Sequence, residues 1–478
     1  MAIFGGFADN FGMRPISVKQ LDYDLTPTAG LALVGHYLNT IAPVLSRIDA
    51  ALPVRGGVAN SDIVRSYLGL LVQGKSDFDA IENVRGDRFF REALGVTQTP
   101  SSPTLRQRMD AQAARLSEHT APIIERLLER HAPDYGVLPC GWLPVDIDTF
   151  AMDNSGTAKE GVGRTYAGVD GYCPIASYLG SHGFCLELSL RPGTQHSAKH
   201  TEDNLFAVIP MAQRLSAAGL HAPLLARLDS GFDSAYLMAC LESMNEPVKG
   251  QSKLPQVDWI IKWNPRQTDR AEMAAQTDAA VGTAGAVTWV HPRLGKRVVL
   301  WETEVSIEGI ARPVRRVLRL TERTIGAGGQ HLILPEYELD GWTTTLPRKQ
   351  FDSEQIIALY AGHGTHEQFH AEFKTDLDLT RLPSGKFDTN TLVCNLAAVA
   401  MNILRLMGQS GLLGPDAPVR HSAKRRRIKT VMQELIYRAG RLIGHGRQLI
   451  LGLGANDRSA EVFMRMNTHL ASSGTGVT

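Results

Sequence analysis

Trp142–Phe150 reads WLPVDIDTF. It is a short apolar run in which alternate residues share one face of a strand, so Asp146 and Asp148 point to the same side. A carboxylate inside an apolar strand is costly unless it meets a cation or a donor. Further short apolar runs follow at Cys173–Leu179, Phe184–Leu190 and Leu224–Leu228, with Gly180-Ser-His-Gly183 as a hairpin turn. Asp233–Ser243 then reads as a helix and Asp258–Trp263 as another strand. Three strands followed by alternating helices and strands predict a mixed α/β sheet.

On either side of this core the pattern is helical. From about Pro27 to Arg130, Leu31, Val34, Tyr37, Leu38, Ile41, Val44, Leu45 and Ile48 recur at helix spacing. Ser61 is expected to cap a helix that stops at Gly74, and Ser102-Pro103 to open another. The latter begins TLRQRMD, and its Arg106 and Arg108 are candidate DNA contacts on what is otherwise a solvated surface helix. Pro265–Leu346 carries antiparallel strand signals (AVTWVHP, KRVVLWETEV, RPVRRVLRLTER, EYELDGWTTTL) and a Gly-rich break at Gly326-Ala-Gly-Gly329. The expected division is a helical DNA-binding region over 1–135, a catalytic α/β domain over 136–264 and 347–408, a β-rich insertion over 265–346 and a basic helical region over 409–478, with a disordered Gly/Ser/Thr tail from Ser472.

The 478 residues allow two to four domains, and 43% apolar with 21% charged residues is ordinary for a globular chain. A net charge of +1 leaves nucleic-acid contact to local patches. One such patch is clear. Between Arg405 and Arg447 the basic residues Arg405, Arg420, Lys424, Arg425, Arg426, Arg427, Lys429, Arg438, Arg441 and Arg447 face only Asp416 and Glu434. That imbalance favours DNA over a plain solvated run, with Lys424–Arg427 as its centre. Five scattered cysteines without a CxxC pair argue against a zinc or disulfide framework and predict a reducing, cytoplasmic setting. No signal peptide is read in MAIFGGFADNFG, and Thr391–Met407, broken by Asn395, Asn402 and Arg405, predicts a buried helix rather than a membrane span.

Two further acidic positions join the strand pair. Asp229, in LLARLDSGF, ends an apolar strand at a Gly turn, where ligands of α/β sheets gather. Glu367 lies in Tyr360–Lys374, YAGHGTHEQFHAEFK. At about 100° per residue, Tyr360, His363, Glu367 and Lys374 fall within about 60° of one another, a narrow face of polar groups. Three carboxylates from separate elements suit a pair of hard divalent cations, which can activate a water or a 3′-hydroxyl and stabilise the leaving oxygen of a phosphodiester. Neither a GxxxxGK[ST] phosphate loop nor a GxSxG elbow is present.

At these residues the chain resembles a known family. Tyr360, His363, Glu367 and Lys374 match the spacing Y-x2-R-x3-E-x6-K of one large group of DDE transposases from bacterial insertion sequences, with histidine where that group has arginine. VDIDTFAMDNSGTAKEGVGRTYAG, LRPGTQHS and RLDSGFDS extend the likeness, as does the long β-rich segment between Asp229 and Glu367, so that it covers about 140–405. The resemblance implies a ribonuclease-H-like catalytic domain and a metal triad of Asp148, Asp229 and Glu367. Asp148 is preferred because Thr149 follows it, with Asp146 as the alternative first ligand. Glu372 falls about 120° from Tyr360 and is set aside.

By the same likeness, Tyr360, Lys374 and a protonated His363 would hold DNA phosphate, with Arg191 and Arg164 nearby. An aromatic of the insertion, Trp342 or Trp301, would stack on a flipped base, although a core tryptophan is the commoner role. The cofactor implied is Mg2+, as two ions, with Mn2+ as a substitute. The partners implied are the terminal inverted repeats and target DNA, bound by a homodimer and not by a membrane-held protein. Function is therefore expected to be metal-dependent cleavage at element ends and strand transfer of the 3′-hydroxyl. A transposase-derived DNA-binding protein and a metal-dependent nuclease are the alternatives.

Overall fold

A computed structural model describes residues 16–20, 22–246, 253–266, 268–280, 288–326, 328–419, 421–446 and 448–474. The segment MAIFGGFADNFG, Ala327 of the Gly-rich break, Arg420, Arg447 and the last four residues of the tail lie outside them.

Among the described residues, nine strands build one sheet. β1 (Leu143–Thr149), β2 (Ile175–Leu179) and β3 (Phe184–Ser189) are antiparallel neighbours. β4 (Leu224–Leu228) runs parallel to β1 on its other side, and β5 (Val257–Trp263) runs parallel to β4. The core order is β3-β2-β1-β4-β5. The turn between β2 and β3 needs its glycines. Gly180 and Gly183 sit at φ +73° and +72°, and a Cβ on Gly183 would lie 2.3 Å from the Phe369 ring.

The β-rich segment does not form a separate sheet. β6 (Val290–Arg293), β7 (Lys296–Val305), β8 (Val314–Ile325) and β9 (His331–Thr344) continue the same one, with Gly341–Thr344 of β9 pairing antiparallel with Ile260–Trp263 of β5. The free edge of β5 offers unpaired N–H and C=O groups, and the inserted strands satisfy them. A helix at Arg270–Ala280 covers part of the added strands, where Ala274, Val299, Leu320 and Leu339 make a small core.

Helix α1 (Ser102–Ser117) packs on the long helix Phe387–Leu412, and α2 (Thr201–Ala217) lies over β1, β2 and β3. The cap of α1 is Ser101, whose hydroxyl accepts from the Thr104 N–H, one residue before the expected Ser102. Ser61 is no cap either, because Ala59 holds that place and the Ser61 backbone and hydroxyl bond to Asp49 instead. After α3 (Ser353–Ala361) and α4 (His366–Ala371) comes α5 (Phe387–Leu412), long and apolar enough to cross a bilayer. Its most apolar window is 89% buried, between the N-terminal helices and β3. Its polar residues have internal work: the Asn402 amide bonds the backbone N–H and C=O of Cys185 at 2.8 and 2.7 Å.

The region after 409 is not wholly helical. Strands Gly440–His445 and Gln448–Leu453 form a hairpin that also pairs with Leu25–Thr26. Leu442 is buried at the centre of this hairpin opposite Leu451, a period-two pattern that the basic residues obscure in the sequence. The last helix, Ala460–Gly474, runs through Ser472, where a disordered tail was expected. The main hydrophobic core among the described residues extends from Leu31 to Leu470 and joins the N-terminal helices, the core sheet and the last helix.

Candidate active site

Because β1 and β4 are parallel and adjacent, their carboxyl ends share one edge of the sheet. Asp148 is the penultimate residue of β1, and Asp229 directly follows β4. Glu367 comes from α4, part of a helical arm started by a capping box of Asp352 and Gln355. That arm changes pitch twice: a 3₁₀ turn spans Gly362–Thr365 and a π turn spans Glu372–Asp376. The uniform helix expected over Tyr360–Lys374 is thus helical throughout but not of one pitch.

Asp148 is the wall between two adjoining clefts. It lines one of about 550 Å³ with Asp229, Thr149, Tyr166, Ser197 and Asn264. It lines another of about 530 Å³ with Glu367, His370 and Lys374. Burial and then the nearby Asp148 charge raise the Asp229 carboxyl above the ordinary carboxylate range, against the Gly231 N–H that bonds its Oδ1 at 2.9 Å. Burial would raise Asp148 too, but His366, with Nε2 at 2.5 Å from Oδ2, outweighs it and holds the carboxyl low. Glu367 is exposed, and its carboxylate makes no hydrogen bond or ion pair among the described residues. A divalent cation between Asp148 and Asp229 would relieve their mutual repulsion, and Glu367 faces the adjoining cleft that Asp148 also lines.

Asp146 has a different job. Arg227 pairs across from it in β4 and donates to both its oxygens, Nε to Oδ1 at 2.6 Å and Nη2 to Oδ2 at 2.7 Å. The remaining Arg227 Nη1 donates to the Leu359 carbonyl of α3 at 2.7 Å. His363 Nδ1 approaches Asp146 Oδ1 at 3.1 Å. Burial favours the neutral acid, but Arg227 and His363 overcome it and hold Asp146 at about 2. With 1% exposure and its oxygens engaged, Asp146 is a strut between β1, β4 and α3, and Asp148 is the carboxylate that faces the clefts. His363 is only 3% exposed and cannot reach DNA phosphate in this conformation. The tighter 3₁₀ turn directs its ring inward toward the strut.

The family model for transposase DDE domain group 1 matches residues 53–475. The chain belongs to that family. No curated protein matches this sequence. A cryo-EM structure of piggyBac transposase in a synaptic complex with hairpin DNA aligns over 93% of this chain and 80% of that one, at 10% identity and a TM-score of 0.36. A likeness that low carries no argument about shape or chemistry.

In this DDE transposase domain the other expected contacts divide into reachable and engaged groups. Lys374 is half-buried at the Glu367 cleft, its ammonium 5.8 Å from the Phe150 ring centre. Arg164 is exposed at the Asp229 cleft and pairs with Asp170 at 3.4 Å. Tyr360 is half-buried, and burial followed by the charges of Asp229 and Asp148 raises its phenol, which stays protonated. Lys424 is exposed. Arg106 is exposed but leans on Phe78 and pairs with Asp79 at 3.7 Å.

The engaged groups serve the fold. Arg191 is buried, with its guanidinium on the carbonyls of His196, Ser197 and Lys199, so it braces the loop beside the cleft instead of meeting DNA. Arg108 bonds Val58 O and Asn60 Oδ1 at 3.2 and 3.0 Å. Trp342 is 3% exposed among Leu225, Ile260 and Val317, which leaves no face for a base, and Trp301 is partly buried in the insertion core. Arg425 bonds Glu372 and Gln368, Arg426 bonds the Leu412 carbonyl, and Arg427 bonds Asp376 at 2.7 Å. The centre of the basic run is thereby a clasp on the π turn.

The sequence reading gives no role to Arg227, His366 or His370. Glu372, which helical spacing sets apart from the Tyr360 face, is turned away from the clefts, 1% exposed and paired with Arg405 and Arg425. The histidines had a visible signal: His363, His366 and His370 recur at intervals of three and four, the spacing of one helix face.

Proposed function

We propose that this chain is an insertion-sequence transposase of bacterial cytoplasm that cuts DNA at the element ends and joins the freed 3′-hydroxyl to target DNA. The observation that carries the reading is the meeting of Asp148 and Asp229 at the carboxyl edge of β1 and β4, with unpaired Glu367 on the adjoining cleft. The core order β3-β2-β1-β4-β5 supports the ribonuclease-H-like reading that the resemblance implies. Asp148, Asp229 and Glu367 would hold two Mg2+ ions, with Mn2+ as a substitute. Such ions, when bound, lower the pKa of a water or 3′-hydroxyl and stabilise the leaving oxygen.

The chain's own groups position the DNA. Lys374 offers its charge to a phosphate beside Glu367, and Arg164 does so beside Asp229. The protonated Tyr360 hydroxyl is a donor and not a base. The strut of Asp146, Arg227 and Leu359 ties β1, β4 and the helical arm together, with Asp148 and Asp229 on one cleft and Glu367 on the adjoining one. Two element ends paired by a protein dimer complete the reading.

The test is incubation of the full chain with labelled duplex bearing the ends that flank its gene, with and without Mg2+. Strand-joined product in the wild type, reduced by more than about 100-fold in Asp229→Ala and Glu367→Ala, is expected. Cleavage without joining would mark a nuclease. Tight binding with no Mg2+-dependent product in the wild type would mark a DNA-binding protein without catalysis.

A further inference from the structure

Beside the carboxylate triad lies a second possible donor set, made of Asp148, His366 and His370. One ligand atom from each falls within 4.8 Å of the others. The two imidazoles change the chemistry. Oxygen-only sets suit Mg2+, whereas imidazole suits Zn2+, Co2+ and other first-row transition ions. We infer that Asp148, His366 and His370 form a site for one such borderline divalent ion, distinct in preference from the all-carboxylate set although it shares Asp148 with it.

Three observations support the site. His366 is oriented as a ligand: its Nδ1 donates to the His363 carbonyl, and its Nε2 faces Asp148. A backbone carbonyl on the far nitrogen is the usual support of a metal-bound imidazole. His370 is 4% exposed, and its Nε2 is buried without any hydrogen-bond partner. An unpartnered buried ring nitrogen is costly, and a cation would remove that cost. Phe150 stacks on the His370 ring at 4.2 Å and limits its movement.

The distances also fit a small rearrangement. A tetrahedral ion with bonds of about 2.0–2.1 Å holds its ligands about 3.3 Å apart. The Asp148–His366 contact of 2.5 Å would open to admit the ion, and the wider separations within 4.8 Å would close. A water from the cleft that His370 lines is the available fourth ligand. The inference needs only these residues and stands apart from the transposase reading.

The test uses the metal-free full chain, without DNA, titrated with Co2+ and followed by its visible absorption. One equivalent of Co2+ should give a d–d band that Zn2+ abolishes and that equal Mg2+ leaves in place. His366→Ala and His370→Gln should each weaken Co2+ binding by about tenfold or more, while Asp229→Ala keeps the band. Circular dichroism establishes that each variant is folded, and if His370→Gln is not, His366→Ala decides. A wild type without a band, or a band that survives in folded His366→Ala, overturns the proposal. A band lost in Asp229→Ala but kept in the histidine variants also overturns it, by placing the ion between the carboxylates. Mg2+-dependent DNA cleavage is scored separately, so failure of that activity beside an intact Co2+ band rejects the transposase reading and leaves this site standing.

Discussion

Asp146 and Asp148, two residues apart on one strand, show how much a single neighbour decides. Both face the same way, but Arg227 lies opposite Asp146 and nothing cationic from β2 lies opposite Asp148, whose partner there is Ala176. Removing one side of a buried pair leaves the other charge uncompensated. Arg227→Met should therefore cost about 3–5 kcal/mol in guanidinium unfolding, and adding Asp146→Asn should recover part of it. A loss under about 1 kcal/mol would refute the strut. Glu187 offers a pH test away from the site. Burial pushes its carboxyl up to about 7 despite a 2.7 Å bond from Asn204. Its folded pKa exceeds its unfolded value, so the fold favours the protonated acid. That stability is present below the unfolded pKa and is lost as pH rises through about 7. Glu187→Gln should accordingly raise Tm at about pH 8 and do little at about pH 5. An equal effect at both pH values would count against the burial.

At the scale of elements, the helical arm is defined by what grips its ends. Its start is held by the Asp352 capping box, and its far end by Glu372, whose carboxylate meets Arg405, Arg425 and the Ile428 N–H. That clasp couples α4 to α5 and to the Arg425–Ile428 segment. Glu372→Ala should cost about 3–5 kcal/mol, and hydrogen exchange should show faster amide exchange at Ile428–Ile436 as well as in the arm. Faster exchange in the arm alone would mean that the basic run is not anchored there. A sequence without partners displays Arg425–Arg427 as a DNA-binding run, because local charge says nothing about carboxylates contributed from some fifty residues away. The same limit affects Tyr360–Lys374. The carboxylate-bearing face was legible from helical spacing, but the 3₁₀ and π turns that bury His363 and Glu372 were not. Pitch changes of that kind depend on tertiary contacts.

At the scale of the whole molecule, the core shared by the N-terminal helices, the core sheet and the last helix predicts that these melt as one cooperative unit, although the sequence divides into four regions. Calorimetry should give a single main transition for the N-terminal helices, core sheet and last helix together. Two well-separated transitions of similar size would contradict it. The inserted strands add to this unit through the β5–β9 pairing, so the expected boundary at 265–346 is a boundary in chain order and not in the sheet. Period-two apolar runs, helical spacing, the place of Asp229 at a strand end and of Glu367 on a polar helix face were all decided by the sequence itself, because they depend on residues close together in the chain. Which aspartate faces the clefts, which arginines are already paired, and how close His366 and His370 come to Asp148 were decided only by the tertiary structure. Each depends on a partner brought in by a parallel crossover or a helix packed on the sheet, and no local pattern records that partner.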